Sequence, residues 1–191
     1  MAEYFKTQGI ILKHEEAGEY DALISCYSKN FGKIDVLAKG IKKINAKLAG
    51  HLQIPSLNNL EIVSNKIYRL IGTSVIKNFS NIKKNREALE NALYICEITD
   101  KLIGHPLREE KLWRLLNAAL AKIEKSPDLS VYVNILYQAK LIKILGYEPD
   151  ISQIKDRAIK ELFRNDKIID IEKTRKWLRE YIEKIRNGDV V

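Results

Sequence analysis

The chain has 191 residues, and 33 lysines and arginines against 25 aspartates and glutamates give it a formal net charge of +8. A positive field of this size concentrates polyanions at the surface, so nucleic acid, acidic membrane and acidic peptide are the partner classes to consider. The N-terminal stretch lacks the apolar run of a signal peptide, and no segment approaches the roughly 20 apolar residues that cross a bilayer. We therefore expect a cytoplasmic protein that does not insert into a membrane.

Cysteine and histidine are scarce, with two and three residues respectively. Cys26 and Cys96 each lie in an apolar segment, which is typical of buried free thiols in a reducing compartment. So few ligands leave little from which a closed metal site could be built. We expect neither a metal nor another cofactor.

Short β segments separated by turn residues fill the chain up to about Phe79. They are rich in branched and aromatic residues, as strands are. The predicted strands cover residues 4–13, 22–27, 33–38, 57–63 and 67–76. Five is the strand number of an OB-fold, so we predict a small β-barrel over residues 1–79.

Beyond Phe79 the apolar residues recur at intervals of three and four, which predicts helices. The first predicted helix covers residues 82–103. Pro106 then stands where a first helical position would be, with Glu109 and Glu110 in the opening turn, so a second helix is expected there.

The last third of the chain predicts three more helices. Residues 129–145 are apolar on most sides, which indicates the buried centre of a bundle closed by Gly146. A short helix is expected over 154–163, and a longer one over 171–185 that begins after Asp170 and ends near Gly188. The fold class is thus α+β, a five-stranded OB-fold barrel followed by an all-helical domain over residues 80–191.

Several segments resemble a known family in the same order along the chain. They are YFKTQGIILK at 4–13 with Gly18-Glu19 and Asp21, FGKI at 31–34 before AKG at 38–40, and KLAGHLQ at 47–53 before Leu60-Glu61, with a weaker match of LGY at 145–147 and Pro149. Together these segments resemble the RecO family of bacterial DNA repair and recombination mediators.

The resemblance implies a protein of the RecF pathway that binds single- and double-stranded DNA and anneals complementary strands. It also implies partnership with RecR and with the C-terminal tail of single-stranded DNA-binding protein, to load recombinase on coated strands. Such a protein is not an enzyme, and we expect a nucleoid-associated monomer. Many members carry a four-cysteine zinc module after the position of Pro149, whereas residues 150–191 contain no Cys and no His. We therefore expect a form without zinc.

A basic run is the main candidate for DNA contact. Between Val36 and Leu52 there is no carboxylate, and the cationic or titratable side chains are Lys39, Lys42, Lys43, Lys47 and His51. Such side chains can follow phosphates along an OB groove. The alternative is an ordinary solvated loop, and the family resemblance favours binding.

Three residues of the predicted strands are further candidates for the same face. Lys13 and Arg69 are expected on neighbouring strands, and Tyr68 is the ring most suited to stack on a base, because it adjoins Arg69 and Lys66. Strand parity alone does not say which face of the barrel each side chain takes.

The helical half contains one cationic cluster with a large ring. Arg108, Lys111 and Arg114 surround Trp113 within two turns. Because the family engages an acidic, apolar-ended tail, these residues are a candidate docking patch for that tail. The alternative is that Trp113 belongs to the core and the charges form a solvated face.

The acidic residues of 14–21 do not predict catalysis, because two-metal chemistry needs carboxylates from separate elements. Glu19 and Asp21 are expected to hold the loop by hydrogen bonds instead. No nucleophile elbow, Walker loop, HExxH or Cys-x-x-Cys is present. We therefore predict no catalytic residue, and the rival function is an RNA-binding OB-fold protein.

Overall fold

A computed structural model describes residues 3–41, 49–64, 66–104 and 106–190. Its five strands are β1 (Glu3–Glu16), β2 (Ala22–Ser28), β3 (Gly32–Ala38), β4 (Leu57–Ser64) and β5 (Tyr68–Lys77). They close into a barrel in the order β1-β2-β3-β5-β4, in which only the β3–β5 pair is parallel. The predicted five-stranded barrel is confirmed.

Strand β1 closes the barrel because it pairs with two neighbours. Its first half, from Glu3 to Ile10, is antiparallel to β4, and its second half, from Gly9 to Glu16, is antiparallel to β2. The register shifts between Ile11 and Lys13. A bulge of this kind bends a strand and raises its twist, which is what a small closed barrel requires.

Alternating apolar residues fill the barrel. Ile11, Ile24, Val36 and Ile62, one from each of four strands, are fully buried in a single cluster. Leu52 joins them from the segment after a 3₁₀ turn at Ala49–His51. The inward positions are thus settled by the two-residue period of each strand.

In the part of the chain that the structure describes, six helices follow the barrel. They are α1 (Ser80–Lys84), α2 (Arg86–Leu102), α3 (Glu110–Lys125), α4 (Ser130–Ile144), α5 (Arg157–Asn165) and α6 (Ile171–Asn187), with a 3₁₀ turn at Pro127–Leu129. The predicted α+β class is confirmed. Within the described residues, no helix has the length and apolar character needed to cross a membrane.

Three predicted helix ends are confirmed by their local geometry. The Asp170 side chain accepts a hydrogen bond of 2.9 Å from the Lys173 backbone nitrogen at the start of α6. Gly188 and Gly146, with φ of 77° and 82°, follow α6 and α4 in the left-handed conformation. Glycine takes this conformation without the clash that a Cβ would meet.

Two predicted helix boundaries are wrong. The first helix is interrupted at Asn85, whose extended backbone separates α1 from α2 and whose side chain accepts from the Ala88 nitrogen at 3.0 Å. The next helix does not start at Pro106 but at Glu110, after Glu109 caps it by accepting from the Lys111 nitrogen. Asparagine and carboxylate side chains at such positions stabilise a new helix start.

The late start of α3 has a tertiary cause. The Tyr27 hydroxyl of β2 lies 3.2 Å from the Leu107 carbonyl oxygen, and it accepts from the Glu109 nitrogen at 3.0 Å. Gly32, the first residue of β3, lies so close to the Leu107 backbone that a Cβ on it would have no room. The segment before α3 therefore lies against the barrel instead of continuing as helix.

The barrel and the first helices share a core. Ile10, Leu12 and Tyr27 of the barrel cluster with Ile95 of α2 and Leu116 of α3, and all five are nearly or fully buried. A second helical core joins α4, α5 and α6. Because the first cluster spans both halves of the chain, the helices hold the outer face of β1 and β2 in a set position.

Candidate nucleic-acid interface

A groove of about 540 Å³ opens beside β3 and the hairpin between β4 and β5. Leu23, Leu37, Tyr68 and Pro106 are among its lining residues, and Lys66 of the hairpin also lines it. In OB-folds, the face of the second and third strands and the loop between the last two strands bind oligonucleotides. The groove therefore lies where this fold binds nucleic acid.

Strand register explains how the groove is assembled. Leu23 of β2 pairs with Leu37 of β3, and Leu37 pairs with Arg69 of β5, so these three residues form one row across three strands. Leu23 and Leu37 are half-buried, and Arg69 is exposed at the end of the row. Two apolar side chains, which form the floor of the groove, thus adjoin a cation. This arrangement suits a nucleotide whose base lies on the leucines and whose phosphate binds the arginine.

Two cations at the edge of the groove are available for phosphates. Lys66 and Arg69 are both exposed, and neither forms an ion pair with a residue that the structure describes. Lys39 is exposed in the turn after β3, and the preceding residue Ala38 pairs with Leu70 next to Arg69. The fold therefore brings Lys39 and Arg69 to the same edge.

Tyr68 is half-buried, because its strand position matches that of Leu70 in the barrel core. Its ring is perpendicular to that of Phe5 at a centroid distance of 5.6 Å, and Phe5 contacts Phe31 at 4.5 Å. The part of Tyr68 that lines the groove is available to stack on a base. Its neighbours fix the ring, so little entropy is lost when a base stacks on it.

A buried ion pair joins the barrel to the helices, and its lysine, Lys33, also lines the groove. Lys33 Nζ lies 2.9 Å from Asp100 Oδ1 of α2, and the Ser25 hydroxyl donates to the same oxygen at 2.6 Å. Burial alone would raise the pKa of Asp100, but the hydrogen bonds from Ser25 and Lys33 and the charge of Lys33 outweigh it and lower that pKa. Asp100 therefore stays ionised and neutralises much of the charge of Lys33.

The basic run is only partly described. Lys42, Lys43 and Lys47 lie outside the described residues. His51 is half-buried, and its Nδ1 lies 3.3 Å from the Thr73 carbonyl oxygen of β5. The predicted phosphate role of these residues stays a prediction.

Lys13 does not lie where the sequence predicts. It lies on the outer face in a row with Ser25 and Asp35, and it pairs with Glu15 on its own strand. The prediction that Lys13 and Arg69 lie on neighbouring strands is wrong. Strand β4 separates β1 from β5 on one side of the barrel, and β2 and β3 separate them on the other. Sequence order does not reveal how a barrel closes.

The candidate patch at the start of α3 divides into buried and exposed parts. Trp113 is only 8% exposed and packs in the core shared with the barrel, which is the alternative left open above. Arg108 and Lys111 are exposed, and Arg114 pairs with Glu110 at 2.9 Å. A docking partner would therefore meet the cations and not the indole ring.

The acidic segment before β2 acts as a structural loop. The Asp21 carboxylate accepts from the Gly40 nitrogen at 2.7 Å, which joins this loop to the end of β3. Gly40 has a φ of 65°, a conformation that favours glycine. Among the described residues, no group of three or more His, Cys, Asp or Glu side chains could hold a metal ion.

Comparison with known families gives two adjoining matches. The family described as recombination protein O N terminal matches residues 1–79, and the family described as recombination protein O C terminal matches residues 84–154. The chain belongs to the RecO family. The two matches meet at α1, where the barrel ends and the helices begin.

Curated relatives carry the same family name. DNA repair protein RecO of Acetivibrio thermocellus is 28% identical over 150 residues, which are 78% of this chain and 60% of that protein. The Dehalococcoides mccartyi protein is 25% identical over 150 residues, 78% of this chain and 59% of its own. The Listeria welshimeri protein is 30% identical over 145 residues, 75% of this chain and 56% of its own. The chain thus spans less than two thirds of the length of these relatives.

Sequence reasoning missed the apolar floor and the ion pair beside it. Leu23 and Leu37 looked like ordinary strand residues, and Lys33 and Asp100 are 67 positions apart in the chain. Lys66 could have been identified, since it lies in a predicted turn between two strands of an OB-fold.

Proposed function

We propose that the chain is a DNA repair mediator that binds single- and double-stranded DNA with its barrel. In this proposal it anneals complementary strands and helps RecR load recombinase on strands coated by single-stranded DNA-binding protein. It acts by binding, without a catalytic step. Residues 1–79 form the DNA-binding part and residues 80–191 the helical part that receives partners. The observation that carries the proposal is the groove, with Leu23, Leu37 and Lys66 among its lining residues and with Arg69 next to Leu37 on the neighbouring strand.

Annealing follows from charge neutralisation. Two complementary strands repel each other through their phosphates, and a surface that holds both releases counterions from each. The formal charge of +8 supplies such a surface without any bond being made or broken. The family name of the relatives supports the placement of this chemistry in DNA repair.

The groove is tested by exchanging the exposed cations Lys66 and Arg69 for neutral side chains. For the Lys66→Gln, Arg69→Gln double variant, we expect weaker single-strand binding and a log-affinity against log-salt slope that is flatter by about 1.4, since each lost phosphate contact removes about 0.7 of a counterion. The measurement is fluorescence anisotropy with a labelled oligonucleotide over a salt series.

The matched control for that experiment is Lys122→Gln with Lys125→Gln, two exposed cations in the last turn of α3. The control removes the same charge away from the groove and should keep most of the slope. Equal slopes in the two double variants would show that the groove does not hold phosphates. A matched RNA strand in the same assay decides whether DNA is the preferred strand, because equal affinity favours the rival RNA-binding function.

The basic run is tested separately. Changing Lys39, Lys42, Lys43 and Lys47 to Ala should flatten the single-strand salt slope by roughly 3 and reduce affinity almost equally for every sequence, because phosphate contacts do not read bases. Annealing of complementary oligonucleotides should fall in parallel. A variant that loses annealing but keeps the wild-type slope would show that these lysines act in another way, and circular dichroism of the same variant tests its folding.

Partner recruitment is proposed for the exposed cations before and within α3. An acidic tail gains from a cationic rim and loses affinity when the sign of that rim is reversed. Changing Arg108, Lys111 and Arg114 together to Glu should therefore weaken binding of a tail peptide, while the Lys122→Glu, Lys125→Glu control should not. Unchanged peptide affinity in the triple variant would place the tail elsewhere. Trp113 is not substituted, because it is buried and its replacement would destabilise the fold.

A further inference from the structure

A second cavity, of about 230 Å³, lies among α2, α4 and α6 and shares no residue with the groove of the barrel. Asn91 and Tyr94 contribute from α2, and Asn134 and Gln138 from α4, while Arg175 and Arg179 contribute from α6. The carboxylates of Glu87 and Glu90 stand at its edge. The proposed DNA-binding function uses none of these side chains.

Buried amides form a relay along one wall. Gln138 Nε2 donates to Asn134 Oδ1 at 2.7 Å, and Asn134 Nδ2 donates to Asn91 Oδ1 at 2.8 Å. Asn91 Nδ2 in turn donates to the Glu87 carbonyl oxygen at 2.9 Å and to the Ser130 hydroxyl at 3.3 Å. The three amide side chains are only 5–6% exposed, so each donor is placed by the next.

The relay leaves one acceptor unused. Every amide oxygen in it receives a hydrogen bond except Gln138 Oε1, which accepts none from the residues that the structure describes. Gln138 is 5% exposed and lines the cavity. Gln138 Oε1 is not one of the fully enclosed, unpartnered polar atoms of the described residues, so it is reached from the cavity and can accept a hydrogen bond from a ligand that donates an N–H.

The residues that α6 contributes to the cavity carry positive charge. Arg175 and Arg179 are one turn apart on α6, both are exposed, and neither forms an ion pair with a described residue. Two guanidinium groups at this spacing match the oxygens of a phosphate. Glu87 likewise has no cationic partner among the described residues, whereas Glu90 pairs with Arg86 at 2.9 Å.

We infer that this cavity binds a guanine nucleotide. The guanine base presents neighbouring N–H donors on one edge, which suit Gln138 Oε1 and the Glu87 carboxylate, and its phosphate suits the two arginines. The half-buried ring of Tyr94 supplies an aromatic surface for the base. A free amino acid also carries a cationic end for Glu87 and an anionic end for the arginines, but it leaves the Tyr94 ring of the cavity without a partner.

Isothermal titration of the full chain with guanosine monophosphate, inosine monophosphate, adenosine monophosphate and guanosine tests the inference. Guanosine monophosphate should bind best. Inosine monophosphate lacks the exocyclic amine and guanosine lacks the phosphate, so each should bind about tenfold or more weakly, the effect of one lost hydrogen bond to a charged group. No binding of guanosine monophosphate, equal affinity for adenosine monophosphate, or binding of glycine instead would overturn the inference.

Variants separate the two ends of the ligand. Arg175→Gln with Arg179→Gln should reduce the affinity for guanosine monophosphate by about tenfold or more and leave that for guanosine unchanged. Lys176→Gln, on the same helix but outside the cavity, is the matched control and should change neither. Gln138→Met should abolish the preference for guanine over adenine. If this core variant does not fold, the Arg175→Gln, Arg179→Gln variant still tests the inference, because both arginines are exposed. If the arginine pair and the control behave alike, no phosphate is held there.

Discussion

Substituting Gly32 by alanine tests how strongly the barrel holds the segment before α3. Gly32 has a φ of 69°, a left-handed conformation that disfavours a side chain. A Cβ built on it would meet the Leu107 carbonyl group and lie 2.7 Å from the Arg108 backbone nitrogen. Both partners are backbone atoms, so the strain cannot be relieved by turning a flexible side chain.

The expected loss of stability is the sum of separate effects. The left-handed conformation costs about 1–2 kcal/mol with a Cβ present, and forcing an extra methyl into a packed contact costs about 1–3 kcal/mol. If the segment instead moves away and relieves that contact, two hydrogen bonds weaken, the one that the Tyr27 hydroxyl donates to the Leu107 oxygen and the one that it accepts from the Glu109 nitrogen, at about 1 kcal/mol each. The conformational cost adds to one or the other of these two effects, so we expect Gly32→Ala to lower the free energy of unfolding by roughly 2–5 kcal/mol, a large part of the 5–15 kcal/mol typical of a native protein.

The assay is urea unfolding followed by circular dichroism and by tryptophan fluorescence, to which the buried Trp113 contributes from the shared core. Gly146→Ala is the matched control, because Gly146 has a similar φ of 82° but nothing within 4 Å of the added Cβ. The control should lose only the conformational part, about 1–2 kcal/mol. Equal losses in the two variants would refute the idea that the barrel clamps this segment. Because Pro106 lines the groove, Gly32→Ala should also weaken DNA binding more than Gly146→Ala.

Two further predictions concern buried titratable groups. The pKa of Asp100 is lowered in the folded state, so its contribution to stability is present at neutral pH and is lost as the pH falls below the ordinary value of 3.8 and through the folded-state pKa. Asp100→Asn should therefore lower the free energy of unfolding by roughly 2–4 kcal/mol at neutral pH, because Lys33 loses its ionised partner. In urea unfolding, the difference in free energy between the wild type and the variant should shrink as the pH falls. A difference that does not depend on pH would contradict the ion pair. Burial raises the pKa of Cys26 and Cys96 to about 12, so neither thiol should react with a disulfide reagent until the chain is unfolded, and the same sample should contain no stoichiometric zinc by elemental analysis.

Local sequence signals determined the elements whose stabilising partners are near in the chain. Runs of β-forming residues between turn residues located five strands, and the caps at Asp170, Gly146 and Gly188 located helix ends, because each signal depends on residues only a few positions away. The order of the RecO-like segments identified the family, although no single segment was decisive. The five-stranded barrel and the helices after it could therefore be predicted before any coordinates were known.

Only the tertiary structure decided which side chains are free to bind. Tyr27 reaches a segment about 80 positions later and delays α3, and Asp100 neutralises Lys33 from 67 positions away. The indole of Trp113 is buried in a core to which barrel residues from the other half of the chain also belong. Closure of the barrel also fixes which strands adjoin, and hence that Arg69 lies in a row with Leu37 and away from the strand of Lys13. These contacts join distant parts of the chain, and they are selected by the packing of whole elements, which no local period or spacing encodes.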